Sequence, residues 1–300
     1  MKKLILDTDI GADCDDAVAL DYLLKKTREE ECEISAITAS TTREFAVAGV
    51  RRILDDFGFP SIPVGEYQGE PLSCDNFDHY AKALARGVSI KGENATKLMR
   101  KVLVTNDKTD LICIGPLCNI ASLLRSESDE LSSQTGLELI KHKAGKLYLM
   151  GGAFEFLLGE TPFAEWNFEQ DLVSAKMVLE EFPNEIVICP SETGARVMTY
   201  KDNTSGFTKE AMDHFFRSIG NPPLRSRPSW DPLTCMVALN ESRFRFSSYG
   251  IVQVSGEGYT EFVPKDKGRI KYLTLDNDFK KIEKELNDDL ENSHKQLKDI

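Results

Sequence analysis

An α/β fold with a mostly parallel sheet flanked by helices is what this sequence predicts, on three observations. Short apolar runs alternate with stretches of helical periodicity, and several of those runs end abruptly in glycine or proline. One region near the C-terminus departs from this rhythm into simple alternation.

In chain order, Lys3 to Leu6 reads as a first strand, and Ala17, Leu20 and Leu24 recur at i, i+3 and i+7 behind it as a helix. Glu33 to Ala39 is a second strand, followed by a helix marked by Val47, Val50, Leu54 and Phe57. Ala95, Leu98, Met99, Val102 and Leu103 share one helical face, and the run Leu111 to Ile114 is a buried strand ending at Gly115-Pro116. Leu147 to Met150 before Gly151-Gly152, and Ile186 to Cys189 before Pro190, repeat the pattern. From Phe244 to Leu275, alternation in Ile251 to Val254 and in Tyr272 to Leu275 predicts a small antiparallel strand group. Residues 276–300 carry Phe279, Ile282, Leu286, Leu290 and Leu297 on one stripe, an amphipathic helix expected to pack on its own domain, with a subunit contact as the alternative. No linker divides the chain, so residues 1–300 are expected to form one domain.

Composition narrows the function. The 300 residues are 41% hydrophobic and 29% charged, which suits a folded globular chain rather than a disordered one. No segment approaches the roughly 18 apolar residues of a membrane span. Lys and Arg number 37 against 49 Asp and Glu, and the net charge of −12 repels polyphosphate backbones and anionic lipid, excluding nucleic acid and membrane as expected partners. The start MKKLILDTDIG runs into Asp too soon for a signal peptide, and the seven cysteines contain no C-x-x-C pair. Reduced thiols in a cytoplasmic protein are the expectation.

The charge is concentrated where chemistry belongs. LILDTDIGADCDDAVAL places Asp7, Asp9, Asp13, Asp15 and Asp16 between the end of a strand and the start of a helix, the edge where open parallel sheets bind ligands. A phosphate-binding loop would carry several glycines and often a lysine; this one has a single glycine and no base. Crowded carboxylates are costly unless a cation offsets them, and an all-oxygen set without histidine suits Ca²⁺ or Mg²⁺. Capping of the helix accounts for Asp15 and Asp16 but not for five aspartates. An EF-hand fails because a strand precedes the loop, Gly11 is fifth and Val18 twelfth. A D-x-D phosphatase is disfavoured by Gly11, two residues after the second Asp of the pair.

These residues resemble the inosine-uridine nucleoside hydrolase family, whose signature is D-x-D-x-G-x-D-D-A-x-A-L. Further landmarks follow in order: Val64-Gly65 with Pro71-Leu72, Ile114-Gly115-Pro116-Leu117-Cys118-Asn119, Met150-Gly151-Gly152 with Ala164-Glu165-Trp166-Asn167, and Asp231-Pro232-Leu233. The resemblance spans roughly residues 3–240. It implies an open, Rossmann-like parallel sheet with flanking helices, and Ca²⁺-dependent hydrolysis of the N-glycosidic bond of a ribonucleoside to free base and ribose. By the same resemblance Asp9, Asp16, Asp231 and the carbonyl of Ile114 hold the metal, Asp7 supports them from behind, and Asp15 is the general base. Glu165, Asn167 and Met150 line the substrate site. A homodimer or homotetramer acting on a small ribonucleoside or riboside is expected.

The pattern also breaks. The loop is two residues longer than the signature, so counting from Gly11 makes Asp13 the base while counting back from AVAL makes it Asp15; helix register favours Asp15. Ser40-Thr41-Thr42-Arg43 lacks the Asn that the family supplies to ribose, Gly159 stands where a substrate-binding Asn is common, and Trp230 replaces the His that protonates the leaving base. Trp230 can stack on a departing base or serve only as wall. Arg225 and Arg227 face the leaving group, an anionic substituent of the substrate or solvent, and of the four histidines only His79 lies in a loop worth testing. The missing residues keep open hydrolysis of another ribosyl compound, or weak ribose binding without turnover.

Overall fold

The computed structural model describes residues 1–156, 161–220 and 224–293. Its strands are β1 (Lys2–Thr8), β2 (Cys32–Ala39), β3 (Val64–Glu66), β4 (Glu93–Asn94), β5 (Thr109–Cys113), β6 (Ala144–Met150), β7 (Ile186–Cys189), β8 (Met198–Tyr200), β9 (Ser226–Pro228), β10 (Gly250–Val254), β11 (Thr260–Pro264) and β12 (Ile270–Tyr272). The helices are α1 (Asp15–Arg28), α2 (Ala46–Asp56), α3 (Ala81–Leu84), α4 (Ala95–Thr105), α5 (Cys118–Arg125), α6 (Gly136–Lys143), α7 (Trp166–Gln170), α8 (Leu172–Glu181), α9 (Ser191–Gly194), α10 (Gly206–Ser218), α11 (Trp230–Leu239) and α12 (Phe279–Ser293).

Ten strands form one sheet in the order β11-β10-β12-β7-β6-β5-β1-β2-β3-β4. From β12 to β4 every pairing is parallel. The side-chain alternation of a strand explains its two layers: Leu4, Leu6, Ile112, Tyr148 and Val187 face a core shared with α1, α2, α10, α11 and α12. Ile5, Leu111, Leu147 and Ile186 point the other way, onto α4, α5, α6 and α8. Because both faces are covered, these strands read as continuous apolar runs.

The antiparallel region extends the main sheet instead of standing apart from it. β10 and β11 pair antiparallel, while β12 joins β10 antiparallel and β7 parallel. Leu273 to Leu275 lie beyond the strand end. A separate two-stranded ribbon, β8 with β9, was not foreseen from sequence and carries Arg227.

The tail packs as the stripe predicts. Ile282, Leu286 and Leu290 are buried against α1 and its neighbours, each contributing roughly 1.5–3 kcal/mol of burial energy. Asn287 fastens α12 to β8, donating to the Met198 carbonyl at 2.7 Å and accepting from the Tyr200 amide at 3.0 Å. Leu297, Gly159 and His294 lie outside the described residues. All seven cysteines are buried and free, and no described helix is long and apolar enough to cross a membrane.

β1 sits between β2 and β5, and the strand order runs outward from this pair in opposite directions. The crevice at their carboxyl ends is therefore the expected ligand site.

Candidate active site

Beyond Thr8 the chain turns at Gly11, whose φ of +115° suits glycine alone, and enters α1 at Asp15. Asp15 and Asp16 thus occupy the first turn of α1, and Asp231 the first turn of α11 across the crevice. Oxygens of these three buried carboxylates all lie within 4.8 Å of one another. The Asp231 amide donates to Asp15 Oδ2 at 3.2 Å, and the Thr8 hydroxyl donates to Asp16 Oδ1. Asp9 and Ile114 line the same cavity, a space of about 520 Å³. Gly115 is required beside them, since a Cβ there would meet Ser40 Oγ at 2.5 Å and the Asp9 amide at 2.8 Å.

Asp7 lies behind the cavity wall. Its Oδ1 accepts from Thr38 Oγ1 at 2.5 Å and Asn119 Nδ2 at 2.8 Å, and Cys113 Sγ is 3.6 Å from its Oδ2. Burial pushes its carboxyl up to about 7 despite these bonds. Burial likewise raises Asp15, Asp16 and Asp231 well above the usual carboxylate range, and the neighbouring acids Asp13, Asp9 and Asp15 respectively add to it. Burial raises Asp9 too, against the guanidinium of Arg43.

Such a cluster is satisfied by protons or by a cation. The donors are hard oxygens at the N-termini of two helices, so a dication of the Ca²⁺ or Mg²⁺ type fits the set better than a thiolate- or imidazole-seeking metal. Glu165 closes the opposite wall as the N-cap of α7, accepting from the amides of Gly152 at 3.1 Å, Asn167 at 3.0 Å and Phe168 at 3.2 Å. Burial outweighs these bonds and lifts its carboxyl to about 7. Asn167 Nδ2 donates to the Met150 carbonyl at 3.2 Å, approaches Met150 Sδ at 3.1 Å and reaches the Ile114 carbonyl at 3.5 Å.

The profile of the inosine-uridine preferring nucleoside hydrolases matches residues 4–285. The chain belongs to that family. It is 26% identical over 283 residues to a probable uridine nucleosidase 2 of Oryza sativa subsp. japonica, covering 86% of this chain and 79% of that protein. To a pyrimidine-specific ribonucleoside hydrolase RihA of Shewanella sp. (strain MR-7) it is 30% identical over 192 residues, 60% of this chain and 56% of that one. In fold, a purine-preferring ribonucleoside hydrolase from Gardnerella vaginalis superposes with a TM-score of 0.76 at 21% identity, over 98% and 100% of the two chains. A plant nucleoside hydrolase, PpNRh1, gives 0.74 at 20% identity over 97% and 99%. The protein is an N-ribosyl hydrolase.

The two candidates for the base part company in this hydrolase. Asp15 joins the carboxylate trio, whereas Asp13 lines the same cavity in an ion pair with Arg227, whose Nε lies 3.1 Å from its Oδ1 and 3.0 Å from its Oδ2 and whose Nη2 also donates to Oδ2. Arg225 is exposed, pairs with Asp202 at 2.9 Å and is not part of the cavity lining. Trp230 lines the cavity with its Nε1 bonded to the Ser191 carbonyl at 2.9 Å, and the Arg227 guanidinium lies 5.1 Å from its ring centre.

Sequence reasoning missed two features of the hydrolase. Arg43 is buried, donates to the carbonyls of Asp9 and Cys74, and sits 3.7 Å from Asp9 Oδ2; its signal was an arginine in the turn after β2, at the ligand edge of the sheet. The mouth is ringed by Phe77, Phe163, Trp166 and Phe215, with His79 edge-on to Phe215 at 5.7 Å. No periodicity marks these rings, because they come from three separate segments, with Phe163 and Trp166 together just before and at the start of α7.

Proposed function

We propose that this hydrolase cleaves neutral ribonucleosides in a Ca²⁺-dependent reaction. The observation that carries the reading is the buried trio of Asp15, Asp16 and Asp231 at the floor of an aromatic-mouthed cavity. Asp9, Asp16, Asp231 and the Ile114 carbonyl would hold the ion, with Asp7 and its hydrogen bonds fixing the strand end behind them. When bound, the dication supplies Lewis-acid grip on ribose hydroxyls and acidifies the attacking water.

Asp15 takes the proton from that water, a role open to it because among the described residues its carboxylate accepts from the Asp231 amide and forms no ion pair, whereas Asp13 is occupied by Arg227. Glu165 and Asn167 anchor ribose hydroxyls. The surrounding carboxylates stabilise the positive charge that develops on the sugar as the bond to the base lengthens. Arg227 is the one Lys or Arg side chain among the described lining residues, and the carboxylates that surround it, Asp13 included, outnumber it and repel a phosphate. That favours nucleosides over nucleotides or other anionic ribosides.

The test is turnover of uridine and inosine, followed by release of reducing sugar, in EDTA and after Ca²⁺ is restored. Activity is expected to vanish and return; full turnover in chelator would overturn the role of the ion. Alongside it, D15N is expected to abolish turnover while D13N retains part of it, and the reverse order would hand the base to Asp13.

A further inference from the structure

The departing base needs help that the floor of carboxylates cannot give. Cleavage sends the electron pair of the N-glycosidic bond onto the base nitrogen, and an anionic base is repelled by a cavity lined with acids. Trp230 has no transferable proton to offer, and its indole N–H is already committed to Ser191.

Arg227 stands at the right place. Its guanidinium lies 5.1 Å from the ring centres of both Trp230 and Phe215, two residues of the cavity wall. Asp13 holds the Nε and Nη2 edge, and Nη1 has no hydrogen-bond partner among the described residues. The residue that aims it belongs to the two-residue extension of the acidic loop. Asp13 and Arg227 also tie together the segments that lead into Asp15 and into Asp231.

We propose that Arg227 is the leaving-group residue of this enzyme, its Nη1 donating a charge-assisted hydrogen bond to a carbonyl oxygen or ring nitrogen of the base, with Asp13 as its positioning residue. The inference rests on the nucleosidase reading above. The C1′–N bond breaks with its electron pair passing to the base, the water oxygen bonds to C1′, and the water proton passes to Asp15. The freed base then takes a proton from solvent and Asp15 returns its own, so one water is consumed and Arg227 keeps its protons throughout. A guanidinium does not titrate below about pH 12, so leaving-group assistance has no basic limb.

The experiment uses the Ca²⁺-loaded full chain with uridine, inosine and p-nitrophenyl riboside, whose weakly basic leaving group needs little assistance. R227M is expected to lower kcat on the nucleosides roughly 100- to 1,000-fold, the usual worth of one charge-stabilising donor. The loss on the nitrophenyl riboside should be at least about 30-fold smaller, and R227K should recover part of the nucleoside rate through its own charge. D13N should fall between wild type and R227M. Equal losses on all three substrates would make Arg227 a structural residue and overturn the assignment. So would a basic limb in the wild-type kcat profile that H79A removes, which gives the role to His79. If the wild type turns over none of the three, the nucleosidase reading fails as well; equal losses against an active wild type defeat Arg227 alone.

Discussion

The floor and the mouth of the cavity are built on different principles. The floor places Asp9, Asp15, Asp16 and Asp231 at the ends of β1, α1 and α11, where strand register and helix starts fix them below solvent. The mouth draws Phe77, Trp166, Phe215 and Arg227 from a loop, a short helix, a long helix and the β8–β9 ribbon, and Phe77 and Trp166 each stay 43% exposed. A rigid floor suits chemistry on ribose, which every substrate shares. A mouth assembled from separate segments can change which base it admits without disturbing that chemistry.

The largest effect should come from breaking the floor. If Asp231 holds the ion as proposed, D231N is expected to lower kcat on uridine by roughly 1,000-fold or more, because a ligand and its charge are both lost. In EDTA the same change should raise the melting temperature, since it removes one buried like charge from the trio. Calorimetry that finds metal-free D231N less stable than metal-free wild type would refute the view that repulsion strains the empty floor.

The second effect separates the regions by pH. Asp7 and Glu165 have folded-state carboxyls lifted to about 7 from ordinary values near 4. The folded chain therefore holds protons that the unfolded chain releases, and stability present at low pH is lost as pH rises from about 4 through about 7. For Asp7 alone the loss across that window is on the order of 4 kcal/mol. Urea titrations of the metal-free protein at pH 5 and pH 8 should show this fall, and saturating Ca²⁺ should flatten it by occupying the deprotonated floor. An identical fall with and without Ca²⁺ would place the ion elsewhere.

The same contrast explains what could be read in the sequence. The parallel strands and the floor were legible because an apolar run ending in acid, such as LILDTD, records both burial and the strand end, and helix register separates Asp15 from Asp13. The β8–β9 ribbon was not, since three-residue strands carry too little pattern. Phe215 reads as an ordinary apolar position of α10, and only tertiary packing turns it toward His79 and Arg227. Arg43 was hidden for another reason: composition rules place arginine at the surface, and here the carbonyls of Asp9 and Cys74 satisfy it inside.

The smallest expected effect tests the mouth by itself. Trp166 touches Phe77 edge to face, with ring centres 5.8 Å apart, and follows Glu165 directly in the N-terminal turn of α7. W166A removes aromatic surface from the base side while Glu165 keeps its amide partners. The KM for uridine should therefore rise roughly 3- to 10-fold, the worth of one aromatic contact, with kcat within about 2-fold of wild type. The ratio between uridine and inosine should shift as well, because a purine covers more of the mouth than a pyrimidine. Should kcat fall with KM unchanged, Trp166 would belong to the floor by function, and the division between a ribose-directed floor and a base-directed mouth would have to be redrawn through α7.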